Sequence, residues 1–170
     1  MPPKFLRRSR VRTAGRCRKI RSRTEYPQLF HYSMNPPIEV SAGLVFRDGQ
    51  LLITQRRAGS HLGGLWEFPG GKREAGETLE QCLARELREE LGIQVRVGVR
   101  FDTVTHTYPE KSVRLEFFLC RLIAGEPQPL GCAGLRWIRP EDLDAVAFPP
   151  ADARIIERLK STPTLWQTPA

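Results

Sequence analysis

The sequence predicts an α+β domain, a mixed β-sheet flanked by helices, on three observations. Short apolar runs between Val40 and Ile138 alternate with polar residues, the period-2 signature of strands. Leu79, Leu83, Leu87 and Leu91 recur at helical spacing between a capping signal and a glycine. A second apolar series, Ile155, Ile156 and Leu159, follows Pro149-Pro150, residues suited to a helix start.

Taken in order, Val40–Phe46 and Leu51–Gln55 are two strands joined by Asp48-Gly49, a strong hairpin signal. His61-Leu62-Gly63-Gly64 and Pro69-Gly70-Gly71 read as loops, the second rich in glycine so that backbone can approach a ligand closely. Thr78, with Gln81 three residues on, forms a capping box that opens the leucine helix, and Gly92 ends it. Val95, Val97 and Val99 mark one strand; Val113, Leu115, Phe117 and Leu119 mark another. Leu135–Ile138 is a shorter strand, and the helix after Pro149-Pro150 closes the domain with Ile155, Ile156 and Leu159 on its buried side.

A chain of 170 residues, 40% hydrophobic and 8% aromatic, suits one folded domain with a real core. The net charge of +8 suggests nucleic acid until it is located. Residues 1–37 carry ten Lys and Arg against Glu25 alone, leaving seventeen basic and eighteen acidic residues in the rest. The domain itself, 38–161, is therefore almost neutral, with 162–170 as a tail. The basic leader, from Arg7 to Arg23, lacks the apolar run of a secretory signal and has the composition of a disordered segment. Its readings are a phosphate-binding arm for nucleic acid, an organelle transit peptide, or a passive upstream stretch with Met34 as the real initiator, and the sequence favours the last. Cys17, Cys82, Cys120 and Cys132 form no C-x-x-C pair, so neither zinc nor a disulfide framework is indicated and a reducing, cytoplasmic location is expected. No apolar stretch reaches the roughly 18 residues of a membrane span.

The leucine helix also carries the chemistry. Glu86, Glu89 and Glu90 lie three and four residues apart, so they share an arc of about 100° on one helix face. They border the buried stripe, and like charges so close call for a cation among them.

Gly71, Glu77, Arg85, Glu86, Leu87, Glu89, Glu90, Gly92 and Ile93 fill all nine defined places of the signature of the Nudix hydrolases, which the chain resembles over residues 38–160. Trp66-Glu67-Phe68-Pro69-Gly70-Gly71-Lys72 and Phe148-Pro149-Pro150-Ala151 resemble the MutT branch. The resemblance implies an α/β/α sandwich with a metal-binding loop–helix–loop. It implies that Glu86, Glu89, Glu90 and the Gly70 carbonyl hold Mg²⁺, with Mn²⁺ as a substitute, that Arg85 orients the acids, and that Gly71, Glu77 and Gly92 support the loop. The implied reaction splits a nucleoside triphosphate into monophosphate and pyrophosphate.

One place departs from the branch pattern. An acid is expected six residues before Trp137, where this chain has Gly131. Either Glu86 then activates the water, or another acid such as Glu126 or Glu110 reaches in, or catalysis is weaker. By resemblance the base pocket uses Phe68 and Tyr108 as walls, Arg57 as a polar contact and Asp152 as the reader of the base edge. Relatives specialised for 8-oxo-dGTP carry Asn there, which both donates and accepts; ionised Asp only accepts, as an acceptor for the cytosine amine would. His61 and His106 are expected to be ordinary loop and sheet residues. The leading expectation is a monomeric diphosphatase that clears 8-oxo-dGTP; the alternatives are CTP or a modified dCTP as substrate, or an RNA-directed protein using the basic leader.

Overall fold

The computed structural model of the protein describes residues 36–167. The readings of the basic leader, of Met34 and of Cys17 fall outside them.

Seven strands form one mixed sheet: β1 (Ile38–Arg47), β2 (Gln50–Gln55), β3 (Trp66–Glu67), β4 (Gly70–Lys72), β5 (Gln94–Thr107), β6 (Ser112–Ala124) and β7 (Gly134–Ile138). The central path runs β3-β2-β1-β6-β5, with β4 on β1 and β7 on β2. β1 and β6 are parallel, and the other pairings are antiparallel. Asp48 and Gly49 both take positive φ, 51° and 74°, the backbone a two-residue hairpin between twisted strands requires.

Helix α1 (Leu79–Leu91) covers one face of the sheet and α2 (Ala153–Lys160) the other. Under α1 lie Val45, Leu52, Leu83, Leu87, Leu91 and Phe118; under α2 lie Leu44, Ile53, Phe117, Ile155 and Leu159. This is the expected α+β sandwich. The capping box is present as read, with the Thr78 hydroxyl accepting from Gln81 N and the Gln81 side chain accepting from Thr78 N, and Gly92 closes α1 in the left-handed conformation at φ 68°.

Four expectations change. Pro69-Gly70-Gly71 is not wholly loop: Gly70–Lys72 pairs with Val40–Ala42 of β1, because β2 pairs only with the far end of β1 in this ladder, at Phe46 and Arg47. β3 was not expected at all, being two residues long. β5 runs far beyond Val99, and register shifts between Val97 and Asp102 break the alternation that would have revealed it. The closing helix begins with a 3-10 turn, Pro150–Asp152, and a further 3-10 turn, Pro163–Gln167, follows α2. In that last turn, part of the segment read as a tail, Trp166 packs edge-on against Phe46 at 5.3 Å and donates to Leu159 O, so the packed structure continues to Gln167.

Candidate active site

A cavity of about 330 Å³ opens between the N-terminal half of β1, β6, the end of β2 and the segment that precedes α2. Its floor is apolar, with Val40, Ala42, Leu115 and Phe117, while Arg56, Arg57, Glu67, Glu90 and Asp152 supply charge. Two features build it. Trp66 N donates to Ala147 O at 2.9 Å, fastening β3 to the stretch that leads to Asp152. Beside that bond, Phe68 stacks on Phe148 with centroids 5.4 Å apart and meets Phe117 edge-on.

The acidic end belongs to α1. Arg85 Nη1 donates to Glu86 Oε1 at 2.9 Å and to Glu89 Oε2 at 3.3 Å; Nη2 and Nε donate to the two oxygens of Glu77 at 2.8 and 3.1 Å. Glu77 also accepts from Glu74 N at 2.7 Å. The Arg85 contact first, then this backbone bond, lowers the Glu77 carboxyl to about 2, while the bonds to Glu77 and then Glu86 raise Arg85 against the opposing effect of burial. The positive charge that the acidic face calls for is thus Arg85. Glu90 points to the cavity instead; burial, and then the nearby Glu86 charge, raise its pKa.

Gly71 explains how close this packing is: a Cβ there would stand 2.2 Å from the Glu86 carboxyl carbon. Gly70, at φ 154°, allows no Cβ either, since Ser41 O would be 2.0 Å away. Among the described residues, no three His, Cys, Asp or Glu converge as a ready-made metal cage. The donor chemistry nevertheless fits a hard divalent cation, which takes oxygen ligands only: Glu90 and Gly70 line the cavity, and the Glu86 and Glu89 carboxylates stand beside it on the same helix as Glu90.

Gly131 sits against this cluster, with Glu90 Cγ 2.6 Å from where its Cβ would be. Glu90 therefore fills the space that an acid at 131 would enter. Neither substitute acid lines the cavity. Glu126 is held by Arg47 at 2.7 Å and Glu110 lies 3.2 Å from His61 Nδ1.

At the other end, Asp152 is only 4% exposed. It occupies the N-cap position of α2 without a side-chain capping hydrogen bond, and among the described residues no hydrogen bond holds its side chain. Burial pushes its carboxyl up to about 7, with the Glu67 charge adding to the effect and Arg56 opposing it. Tyr108 lines the cavity between His61 and His106, whose rings meet it edge-on at 5.0 and 4.5 Å. Arg57 lines it too and donates from Nη2 to Leu130 O at 2.9 Å. All four residues expected of the base pocket thus share one cavity with Gly70 and Glu90, while Glu86 and Glu89 stand with Arg85 beside it.

Sequence reasoning passed over Arg56 and Glu67. Arg56 Nη1 pairs with Glu67 Oε2, and Arg56 Nε donates to His61 O at 2.7 Å. Glu67 stands in the Trp66–Lys72 motif and Arg56 beside Arg57; strand alternation would have put Glu67 on the opposite side from Phe68, but not shown that both sides reach one cavity.

The NUDIX domain profile matches residues 41–158. The chain belongs to the Nudix hydrolase family. It is 42% identical over 125 residues to the 8-oxo-dGTP diphosphatase of Haemophilus influenzae, covering 72% of this chain and 90% of that protein. It is 38% identical over 120 residues to the CTP pyrophosphohydrolase of Escherichia coli, covering 71% and 89%. Its fold superimposes on the MutT protein of Methanosarcina mazei with a TM-score of 0.66 at 26% identity, covering 75% of this chain and 96% of the other. Nudix hydrolases generally use divalent cations. Among the described residues no helix is long and apolar enough to cross a membrane.

Proposed function

We propose that this Nudix hydrolase is a Mg²⁺-dependent diphosphatase that converts 8-oxo-dGTP to the monophosphate and pyrophosphate, clearing an oxidised precursor from the nucleotide pool. The observation that carries the reading is Asp152: an enclosed carboxyl, facing a cavity with aromatic walls and without a side-chain hydrogen bond. Its raised pKa favours the neutral form, which has one donor and one acceptor side by side. In 8-oxoguanine O6 accepts and N7 carries hydrogen, a matching pair; in guanine O6 and N7 both accept. The same carboxyl would thus favour the oxidised base over the ordinary one. Names of relatives point the same way.

A bound divalent cation would neutralise charge on the phosphate bridge and acidify a water. Glu86, Glu89, Glu90 and the Gly70 carbonyl are the groups proposed to hold it. Arg85 positions the acids through Glu86 and Glu89, and Glu77 anchors Arg85 from the loop. Glu86 is the proposed proton acceptor for the attacking water: Glu110 and Glu126 are engaged elsewhere, while its Oε1 takes Arg85 and its Oε2 has no hydrogen bond. Phe68 and Tyr108 wall the base, and Arg57 offers a polar contact. The proposal includes a monomer in the cytoplasm.

CTP or a modified dCTP is the second reading, favoured by the acid at 152, which can accept from the cytosine amine, and by the relative of that name. A panel of kcat/KM values on 8-oxo-dGTP, dGTP, CTP and 5-methyl-dCTP separates the two. We expect 8-oxo-dGTP to lead dGTP by on the order of 100-fold, as about 3 kcal/mol of paired against unpaired polar contacts implies. Activity should vanish with chelator and return with Mg²⁺, less fully with Mn²⁺. A lead for the pyrimidines would overturn the first reading.

A further inference from the structure

Glu67 has no place in the reaction as described, yet it lines the same cavity as Asp152 and is pinned there. Arg56 grips its carboxylate, and that guanidinium is fixed in turn by the His61 carbonyl at 2.7 Å. The backbone is equally constrained: Thr54 pairs with Glu67 across β2 and β3, Arg56 N donates to Leu65 O at 2.9 Å, and Trp66 N is bonded to Ala147 O. A carboxylate in direct contact with a guanidinium keeps its charge near neutrality, even though burial draws the Glu67 pKa upward against the pull of Arg56. The buried Asp152 and the half-buried Glu67 therefore share one arginine, and that arginine is committed to Glu67.

We propose that the Arg56–Glu67 pair is a specificity-determining element of the base pocket: a fixed negative charge that keeps the neighbouring Asp152 carboxyl protonated while a nucleotide binds. The inference rests on Asp152 being the base reader and adds what sets its state. Like charges in one cavity cannot both ionise cheaply when one of them is as buried as Asp152, so the acid without a counter-cation holds the proton. The charged and titratable groups around Asp152 agree. Tyr108, on the β5–β6 turn, adds no charge: burial raises its pKa above the ordinary value, and ionisation of Asp152 would raise it further. Glu90 adds a further negative group from α1; Arg57, His61, Lys72 and Lys111 also line the cavity, with Arg57 engaged by Leu130 O, His61 by Glu110 and Lys111 Nζ 5.9 Å from the Tyr108 ring. From α2, Arg154 and Arg158 face the other way, onto Asp102 at 3.0 and 2.9 Å. Arg56 is thus the cation that Asp152 senses, and Glu67 occupies it. Glu67 touches neither the base nor the reacting phosphates; it acts through Asp152 and is a positioning residue.

The test is the pH dependence of kcat/KM for 8-oxo-dGTP from pH 5.5 to 9 in the Mg²⁺-loaded full chain. Wild type should lose base affinity as Asp152 ionises, with a midpoint near 7, seen as rising KM at nearly constant kcat. Glu67→Gln removes the fixed charge and leaves Arg56 free, so the midpoint should fall by about one pH unit, a loss in kcat/KM of about twofold near pH 6 that approaches roughly tenfold at pH 8 and above, past both midpoints. Glu67→Asp, which keeps the charge, should restore the wild-type midpoint. Asp152→Asn, alone or with Glu67→Gln, should abolish that limb. If Asp152→Asn leaves limb and substrate ranking unchanged, the base-reader assignment itself fails. If it abolishes the limb while Glu67→Gln leaves the midpoint in place, only the present inference falls. Infrared difference spectra need no Glu67 variant: a protonated carboxyl band at pH 6 that vanishes by pH 9 and is missing from Asp152→Asn is expected, and absence of the band from wild type would overturn the proposal.

Discussion

The Asp152 carboxyl is held where its charged form is poorly solvated, so its function has a cost that stability measurements can read. An ordinary Asp ionises at 3.8, and this one is pushed up to about 7 by burial. Between those values the unfolded chain has released a proton that the folded protein still holds. A group raised in this way contributes most below its unfolded pKa, and stability falls as pH climbs to the folded pKa and stays low above it. Asp152→Asn removes the penalty while keeping the shape. The variant is therefore expected to match wild type near pH 4 and to exceed it at pH 8 by on the order of 4 kcal/mol. Urea titrations at the two pH values check this; an equal difference at both would place the gain in packing and not in the proton. Asp152 was legible in the sequence through the motif before it. Glu67 was not, because its importance lies in sharing Arg56 with Asp152, a relation between β2, β3 and the start of α2 that no local pattern encodes.

At the scale of elements, legibility followed the length and regularity of the signal. Helix α1 carries its cap, its leucine stripe and its stop within fifteen residues, from Thr78 to Gly92, and the structure reproduces each. β3 and β4 hold five residues between them, too few for a period to appear, and β4 contains two glycines, which sequence reasoning assigns to loops. Yet β4 is the hinge of the site, because its glycines meet different neighbours. A Cβ on Gly70 would strike the backbone at Ser41 O, whereas one on Gly71 would strike the end of the flexible Glu86 side chain. Gly70→Ala must then push β4 off β1 and is expected to cost about 2–3 kcal/mol of stability. Gly71→Ala is expected to fold with a near-normal melting temperature but lose at least about tenfold in kcat, since only the Glu86 carboxylate has to move. Thermal unfolding beside steady-state kinetics distinguishes the pair. Equal loss of stability in both would mean that β4 does not separate support from chemistry.

Over the whole molecule, charge is divided more sharply than composition suggests. Residues 1–37 hold an excess of nine positive charges and the remainder an excess of one negative, while the cavity draws every lining residue from Ile38 to Asp152 and the family match begins at residue 41. Substrate capture within the cavity already has its own cations in Arg56, Arg57 and Lys111. A basic segment that makes no contact with the substrate acts only through long-range attraction, which salt screens beyond about 8 Å at physiological ionic strength. Deleting residues 1–33, to begin at Met34, is therefore expected to leave kcat/KM on nucleoside triphosphates within about twofold at 0.15 M salt. Any affinity of the full chain for RNA should fall steeply with added salt, as released counterions require, and should disappear with the deletion. Steady-state kinetics and a salt series of RNA-binding isotherms on both chains make the comparison. A tenfold fall in kcat/KM on deletion would assign the basic segment to substrate capture, and RNA affinity that survives the deletion would move nucleic-acid binding onto the Nudix domain itself.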